Sequence, residues 1–178
     1  MSKRTFPLSK VYGVLESGPV VLMTTSSHDR PNVMTMSWHT MLEFEPPQIA
    51  MVISNRDFSY NALKSTGECV INLPSADLID QVVICGNTTG AKIDKWAKAG
   101  LTPIAAEHVS APLIKECFIN LECKVIDKSM VNKYGLFVVE VVKAWKNTAI
   151  KNPKTLHHLG KGLFMVAGEL IQTKSKMR

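Results

Sequence analysis

The stretch SNRDFSYN, residues 54–61, gathers the residue types that hold a phosphate. If a strand ends here and a helix begins, backbone N–H groups are left without intrahelical partners, with the positive end of the helix dipole behind them. Arg56 adds a planar fork of donors, and Ser54 and Ser59 add hydroxyls, a donor set suited to a dianion. Local spacing leaves a second reading open, in which Asp57 or Ser59 caps the helix and Arg56 is a surface residue.

A second stretch, NVMTMSW at residues 32–38, separates two chemistries on an extended chain. Val33, Thr35 and Ser37 point one way; Asn32, Met34, Met36 and Trp38 point the other. Two hydroxyls two residues apart can hydrogen-bond a polar ligand edge, while Met36 and the Trp38 indole suit a flat apolar ring. The same pattern also fits a half-buried strand with satisfied hydroxyls and a core tryptophan. Further along, TGAKIDKWAKAGL places Lys92 and Lys95 near a helix start, where the local dipole opposes them and an anionic partner would relieve the conflict. Long stems reaching solvent would do so as well.

Other chemistries are not spelled out. His157 and His158 are adjacent and would face opposite sides of a strand, and no H-x-x-x-H or H-E-x-x-H occurs, so no metal site is expected. Cys69, Cys85, Cys117 and Cys123 form no C-x-x-C pair and read as buried thiols. There is no G-x-S-x-G elbow, no G-x-G-x-x-G and no P-loop, which argues against a serine hydrolase and a Rossmann domain.

The elements that must position these residues are mostly short strands. PVVLMTTS (19–26) and PNVMTMSW flank SHDR, a connection of hairpin size. PPQIAMVIS (46–54), ECVINLP (68–74), FINLECKVIDKSM (118–130), GLFVVEVVKAWKN (135–147) and GLFMVAGELIQ (162–172) follow, the two long ones paired as an antiparallel hairpin. Helical signals gather in the middle. DFSYNALKSTGE ends at Gly67, SADLIDQVVICG runs from Ser75 to Gly86, and AKIDKWAKAGL puts Ile93, Trp96 and Ala97 on one face before Gly100. GLTPIAAEHVSAPLIKE reads as a long irregular connection. This pattern predicts a mainly β protein, an antiparallel Greek-key split barrel with a few peripheral helices, in a single domain over residues 1–178.

Composition is consistent with that reading. A chain of 178 residues, 46% hydrophobic and 20% charged, is ordinary for one globular domain. No apolar run approaches the ~20 residues of a membrane span, and PVVLM is too short for a signal peptide, so a cytoplasmic protein without membrane association is expected. Charge is uneven, with 6 Lys/Arg against 8 Asp/Glu in residues 1–90 and 15 against 7 in residues 91–178. The lysines are scattered, with only KSKMR at the end clustered, and FVVEVVKAWKN is too aliphatic for a nucleic-acid face, so no nucleic-acid partner is expected.

In order and spacing, these pieces resemble the flavin reductase-like family, with the FMN-binding split β-barrel fold, and its flavoredoxin branch in particular. The likeness runs from GPVVLMTTSSHDRPNVMTMSW through ISNRDFSYNALKSTGECVINLP, CGNTTGAKIDKWAKAGLTP and APLIKECFINLECKV. It implies a homodimer holding FMN non-covalently, as an oxidoreductase that takes electrons from NAD(P)H or a redox protein. Delivery would be to flavin, ferric iron or another partner. A non-catalytic FMN-binding module for storage or sensing is the alternative. Carried over by position, Thr35, Ser37 and Trp38 would contact the flavin, with Asn32 near the ring; Met36 would lie against the ring with the indole. Arg56, Ser59 and Tyr60 match the phosphate-binding turn, to which the Ser54 hydroxyl would add a donor. Lys95 would lie at the ring's polar edge and Phe164 in a C-terminal aromatic segment. No side chain takes a catalytic role, since hydride transfer needs placement rather than acid–base groups. Trp96 stands where the branch has Phe, and Thr88-Thr89 replaces a serine; the latter leaves a direct contact there open.

Overall fold

The computed structural model describes residues 3–11, 18–28 and 30–175. Part of the SHDR connection and of the terminal KSKMR cluster lies outside them. Twelve strands are described: β1 (Lys3–Thr5), β2 (Val21–Ser27), β3 (Arg30–Met36), β4 (His39–Phe44), β5 (Pro47–Val52), β6 (Glu68–Leu73), β7 (Pro103–Ile104), β8 (Leu113–Ile114), β9 (Ile119–Asp127), β10 (Leu136–Asn147), β11 (Leu156–Gly160) and β12 (Leu163–Val166). Four α-helices are described among the same residues: α1 (Phe58–Thr66), α2 (Ile79–Asn87), α3 (Lys95–Ala99) and α4 (Val131–Tyr134).

One antiparallel sheet runs β3-β2-β6-β9-β10-β5-β4, with β1 paired to the far end of β10. β10 is long enough to serve two partners on one edge. Its first five residues pair with β5 and its last three with β1, and register shifts opposite β9 bend it between them. β3 and β4 are the two ends of this sheet, yet only Ser37 and Trp38 separate them in the chain. The sheet therefore curls until its ends nearly meet, without a β3–β4 ladder to close it. The split barrel expected from the sequence is what forms, and its open seam falls at Ser37-Trp38. The His39 ring spans that region to the Pro19 carbonyl at 2.7 Å.

The alternation along β2 and β3 explains their composition. Val21, Met23 and Met36 belong to the barrel core with Ile49, Met51, Ile71, Leu121, Phe137 and Val139, and Met34 packs against it. Val20, Leu22 and Val33 face a second core built by Val82 and Cys85 of α2, Trp96 and Ala99 of α3, and Leu156. A strand buried on both faces needs no polar alternation, hence the unbroken VVLM.

Several expected boundaries shift. The third helix begins at Lys95, because the Asp94 carboxylate caps it by accepting from the N–H groups of Trp96 (2.9 Å) and Ala97 (3.2 Å). Ile93 therefore lies outside it, Ala97 is exposed and Ala99 takes the buried place. The SADLIDQVVICG segment opens as a 3-10 turn over Ala76–Leu78, with no side-chain cap from Ser75, and α2 extends one residue past Gly86. GLFMVAGELIQ is strand only over Leu163–Val166, paired with the unexpected β11. Helix is not confined to the middle, since α4 sits between β9 and β10.

Candidate functional site

The SNRDFSY turn joins β5 to α1 as the sequence suggested. Asp57 occupies the N-cap position in an extended conformation, but its carboxylate does not cap the helix. It turns back to accept the Ser54 N–H at 3.0 Å, while the Ser54 hydroxyl accepts the Arg56 N–H at 3.2 Å. These two bonds hold the turn shut from behind; the Tyr60 N–H donates to the Asp57 carbonyl at 3.0 Å, and the Phe58 and Ser59 N–H groups at the start of α1 have no intrahelical acceptor. The Arg56 side chain is exposed at the mouth of a cleft of about 640 Å³.

That cleft lies along the barrel seam. Met34, Thr35, Met36, Ser37 and Trp38 form one side, Ser54–Asp57 and Tyr60 the other, and α4 with Gly135 the end. Met34, Thr35, Arg56 and Asp57 also line a smaller hollow of about 150 Å³ reaching to Asn32, Ser59, Cys85 and Lys95, so the two form one continuous groove. Trp38 is 72% exposed, an indole presented to solvent rather than spent on the core. Thr35 faces the helix layer and donates to the Val82 carbonyl at 2.6 Å.

Lys95 is the unusual group. It is only 5% exposed, and its Nζ donates to the Cys85 carbonyl at 2.8 Å. Burial holds its pKa below the ordinary lysine value, opposed by Cys85 and by the Asp57 carboxylate. Burial also pushes the Cys85 thiol up to about 11, against the pull of Lys95, so Cys85 is a thiol at neutral pH. A buried cation whose hydrogen bond goes to a neutral carbonyl, on the wall of a groove, is a site that an anionic or electron-rich ligand edge would stabilise.

Of the residues singled out from the sequence, Asn32, Thr35, Met36, Ser37, Trp38, Ser54, Arg56, Ser59, Tyr60 and Lys95 all line this groove. Phe164 does not; its ring meets His158 at a tilt of 48° with centroids 5.1 Å apart, and it packs on the second core. Lys92 is exposed and stands outside the groove. Ser59 is almost fully buried, and its oxygen is engaged by the Asn32 amide at 2.8 Å. Tyr60 is core, its ring edge-on to Phe137 and its hydroxyl reaching the Val131 carbonyl at 3.4 Å. The α4 wall of Asn132, Lys133 and Tyr134 was not anticipated, although Lys133-Tyr134-Gly135 carries a helix-ending signal. Thr88 donates to the Ile84 carbonyl at 2.6 Å and so serves the helix end, and both Thr88 and Thr89 line the hollow. Trp96 gains from being an indole, since its Nε1 donates to the Pro31 carbonyl at 3.2 Å. Among the described residues there is no cluster of side chains able to hold a metal, and no helix long and apolar enough to cross a membrane.

Comparison with known proteins places the chain. The model of the flavin reductase like domain matches residues 15–164, and the chain belongs to that family. A curated relative from Archaeoglobus fulgidus, itself uncharacterised, is 33% identical over 132 residues, 74% of this chain and 75% of its own. The FMN-binding domain of a flavin reductase-like enzyme from Shewanella baltica OS155 superposes with a TM-score of 0.91 at 26% identity, over 97% of this chain and 98% of that one. The flavoredoxin of Desulfovibrio vulgaris (Miyazaki F) shares the fold, with a TM-score of 0.79 at 24% identity over 89% and 91% of the two chains.

Proposed function

We propose that the protein is a flavoprotein that holds FMN non-covalently in the seam groove and passes electrons through it. The observation that carries this reading is the convergence, on one groove, of Arg56, the α1 N-terminus, the exposed Trp38 indole and the buried Lys95 cation. That donor set fits the group. A phosphate needs the Arg56 fork and helix N–H groups, a flat ring needs Trp38 and Met34, and a polar ring edge needs Thr35 or Lys95. FMN would supply the hydride and single-electron chemistry, which the side chains present do not. The role of the chain is to bind, to orient and to keep a positive charge at one edge. Arg56 would neutralise the phosphate from the mouth. The Asp57 carboxylate also lines the groove, with one oxygen engaged by the Ser54 N–H. Lys95 would hold its proton at Nζ more firmly beside an anion than in the empty groove, which favours electron uptake.

The reading extends to a homodimer with NAD(P)H or a redox protein as donor and flavin, ferric iron or another carrier as acceptor. Leu159, Leu163, Met165 and Val166 on the β11–β12 hairpin, with Leu42 and Phe44 on β4, are exposed apolar side chains of the kind a second copy would cover. The test is an absorption spectrum of the purified protein with FMN, then anaerobic titration with NADH and with NADPH. A flavin spectrum that bleaches with one of them is expected. Protein that takes up no FMN overturns the reading, and FMN retained but unreduced by any donor would favour a storage or sensing role.

A further inference from the structure

The loop between α2 and α3 must come down onto β3 and α1 for Lys95 to reach the groove, and the contact that allows this is at Gly90. A methyl group added at Gly90 would stand 2.1 Å from Asn32 Oδ1, 2.8 Å from Asn32 Cγ and 2.9 Å from Phe58 Cδ1. The need is for close approach, not for an unusual backbone conformation, because Gly90 has no positive φ. Two further contacts fix the same spot. Arg30 Nη2 donates to the Gly90 carbonyl at 2.8 Å, and the Arg30 guanidinium lies over the Phe58 ring at 5.6 Å. Asn32 is in turn held by its amide bond to Ser59 Oγ at 2.8 Å.

We infer that Gly90 is a positioning residue for the groove, a pin through which Arg30, Asn32 and Phe58 set the loop carrying Thr88, Thr89 and Lys95 against the α1 start. This rests on the flavin-binding reading but assigns a role to Gly90, Arg30 and Phe58, which are outside the expected ligand contacts, acting through Asn32, which is among them. Asn32 is the pivot: the atom that a Gly90 side chain would strike belongs to the carboxamide that also orients Ser59. A larger residue at 90 must either lift the loop or turn Asn32 off Ser59. Both change the shape of the hollow without altering a charge.

The experiment is a double-mutant cycle of Gly90→Ala and Asn32→Ala, read by FMN titration and by hydrogen exchange of residues 88–94 in the FMN-free protein. In the wild-type background, Gly90→Ala is expected to weaken FMN by about tenfold or more and to speed exchange of the loop; on the Asn32→Ala background it should cost about twofold or less. Arg30→Met, which adds nothing to the crowded contact, should also speed loop exchange and weaken FMN by a few-fold. It keeps the test open if Gly90→Ala does not fold. Wild-type affinity and exchange in Gly90→Ala, equal losses on both backgrounds, or unchanged exchange and affinity in Arg30→Met would overturn the inference. If wild-type protein binds no FMN, the functional reading fails, while the exchange comparison still decides whether Gly90 pins the loop.

Discussion

Lys95→Met separates two roles that a buried cation plays, because they have opposite signs. In the free protein the ammonium is nearly excluded from solvent and its one recorded bond goes to a neutral carbonyl, that of Cys85. Methionine matches its length and removes the cost of burying charge, which is several kcal/mol, at the loss of one charge-assisted hydrogen bond worth about 1.5–3 kcal/mol. The variant should hold or gain stability, by up to about 1 kcal/mol, or a Tm rise of about 2–4 °C for a chain of this size. FMN binding should move the other way. Losing a charge-assisted contact worth about 1.5–3 kcal/mol weakens it by about 10- to 150-fold. The pH dependence gives a second readout. Burial lowers the Lys95 pKa in the free protein, and an anionic ligand raises it again, so binding takes up a proton between those two values. Wild-type affinity should fall as pH rises through that window above neutrality, where the phosphate is already fully ionised, and the variant should be flat. Fluorescence-quenching titrations with FMN across alkaline pH, beside thermal unfolding of the free protein, provide both readouts. A variant that binds within twofold of wild type with the same pH slope refutes the role given to Lys95.

Three further outcomes follow from packing. Asn72 is fully buried; its amide reaches the carbonyls of Leu22 (2.9 Å) and Val70 (3.2 Å), and its oxygen accepts from the Ile114 N–H (3.0 Å) and the Asn120 amide (2.6 Å). Asn72→Leu orphans two buried donors and should cost about 2–5 kcal/mol in urea unfolding, with a loss below 1 kcal/mol counting against a cooperative network. Trp96→Phe should fold and lose about 0.5–1.5 kcal/mol, the bond from Nε1 to the Pro31 carbonyl, measured the same way. Gly135→Ala requires a φ of +68° of a residue with a side chain and sets its Cβ 2.2 Å from the Ile53 carbonyl oxygen, whose own N–H donates to Gly135 at 2.9 Å. It should cost more than about 2 kcal/mol and, by shifting Ile53-Ser54, weaken FMN as well; unchanged Tm and affinity would contradict this.

What could be read in the sequence was set by local chemistry. The turn carrying Arg56, the indole at the seam and the lysine opposed to its helix dipole are combinations that few neighbours can override, and all of them converge on the groove. The long strands were equally legible, because β9 and β10 are rich in β-branched residues and pair with each other. β4 escaped notice because both of its faces are largely exposed and HTMLEF carries no alternation. β11 was hidden because its two histidines and glycine gain their strand form from β12 alone. The α4 wall depends on a contact between Gly135 and Ile53 across 82 residues of chain, for which no local pattern exists. Gly90 illustrates the same limit: its importance lies in what stands 2.1 Å from an absent methyl group, on β3 and 58 residues away in the chain. Phe164 shows the converse, an aromatic whose position in the family motif does not bring it to the groove of its own chain.

The central claim is that the seam groove takes a phosphorylated flavin with the Arg56 turn at its anionic end. It is tested most directly by titrating the purified protein with FMN and with riboflavin at the same pH and salt, for wild type and Arg56→Ala. One FMN bound per chain is expected, at least about tenfold tighter than riboflavin, with that preference largely lost in Arg56→Ala. Equal affinity for the two ligands, or a preference untouched by removing Arg56, would contradict it.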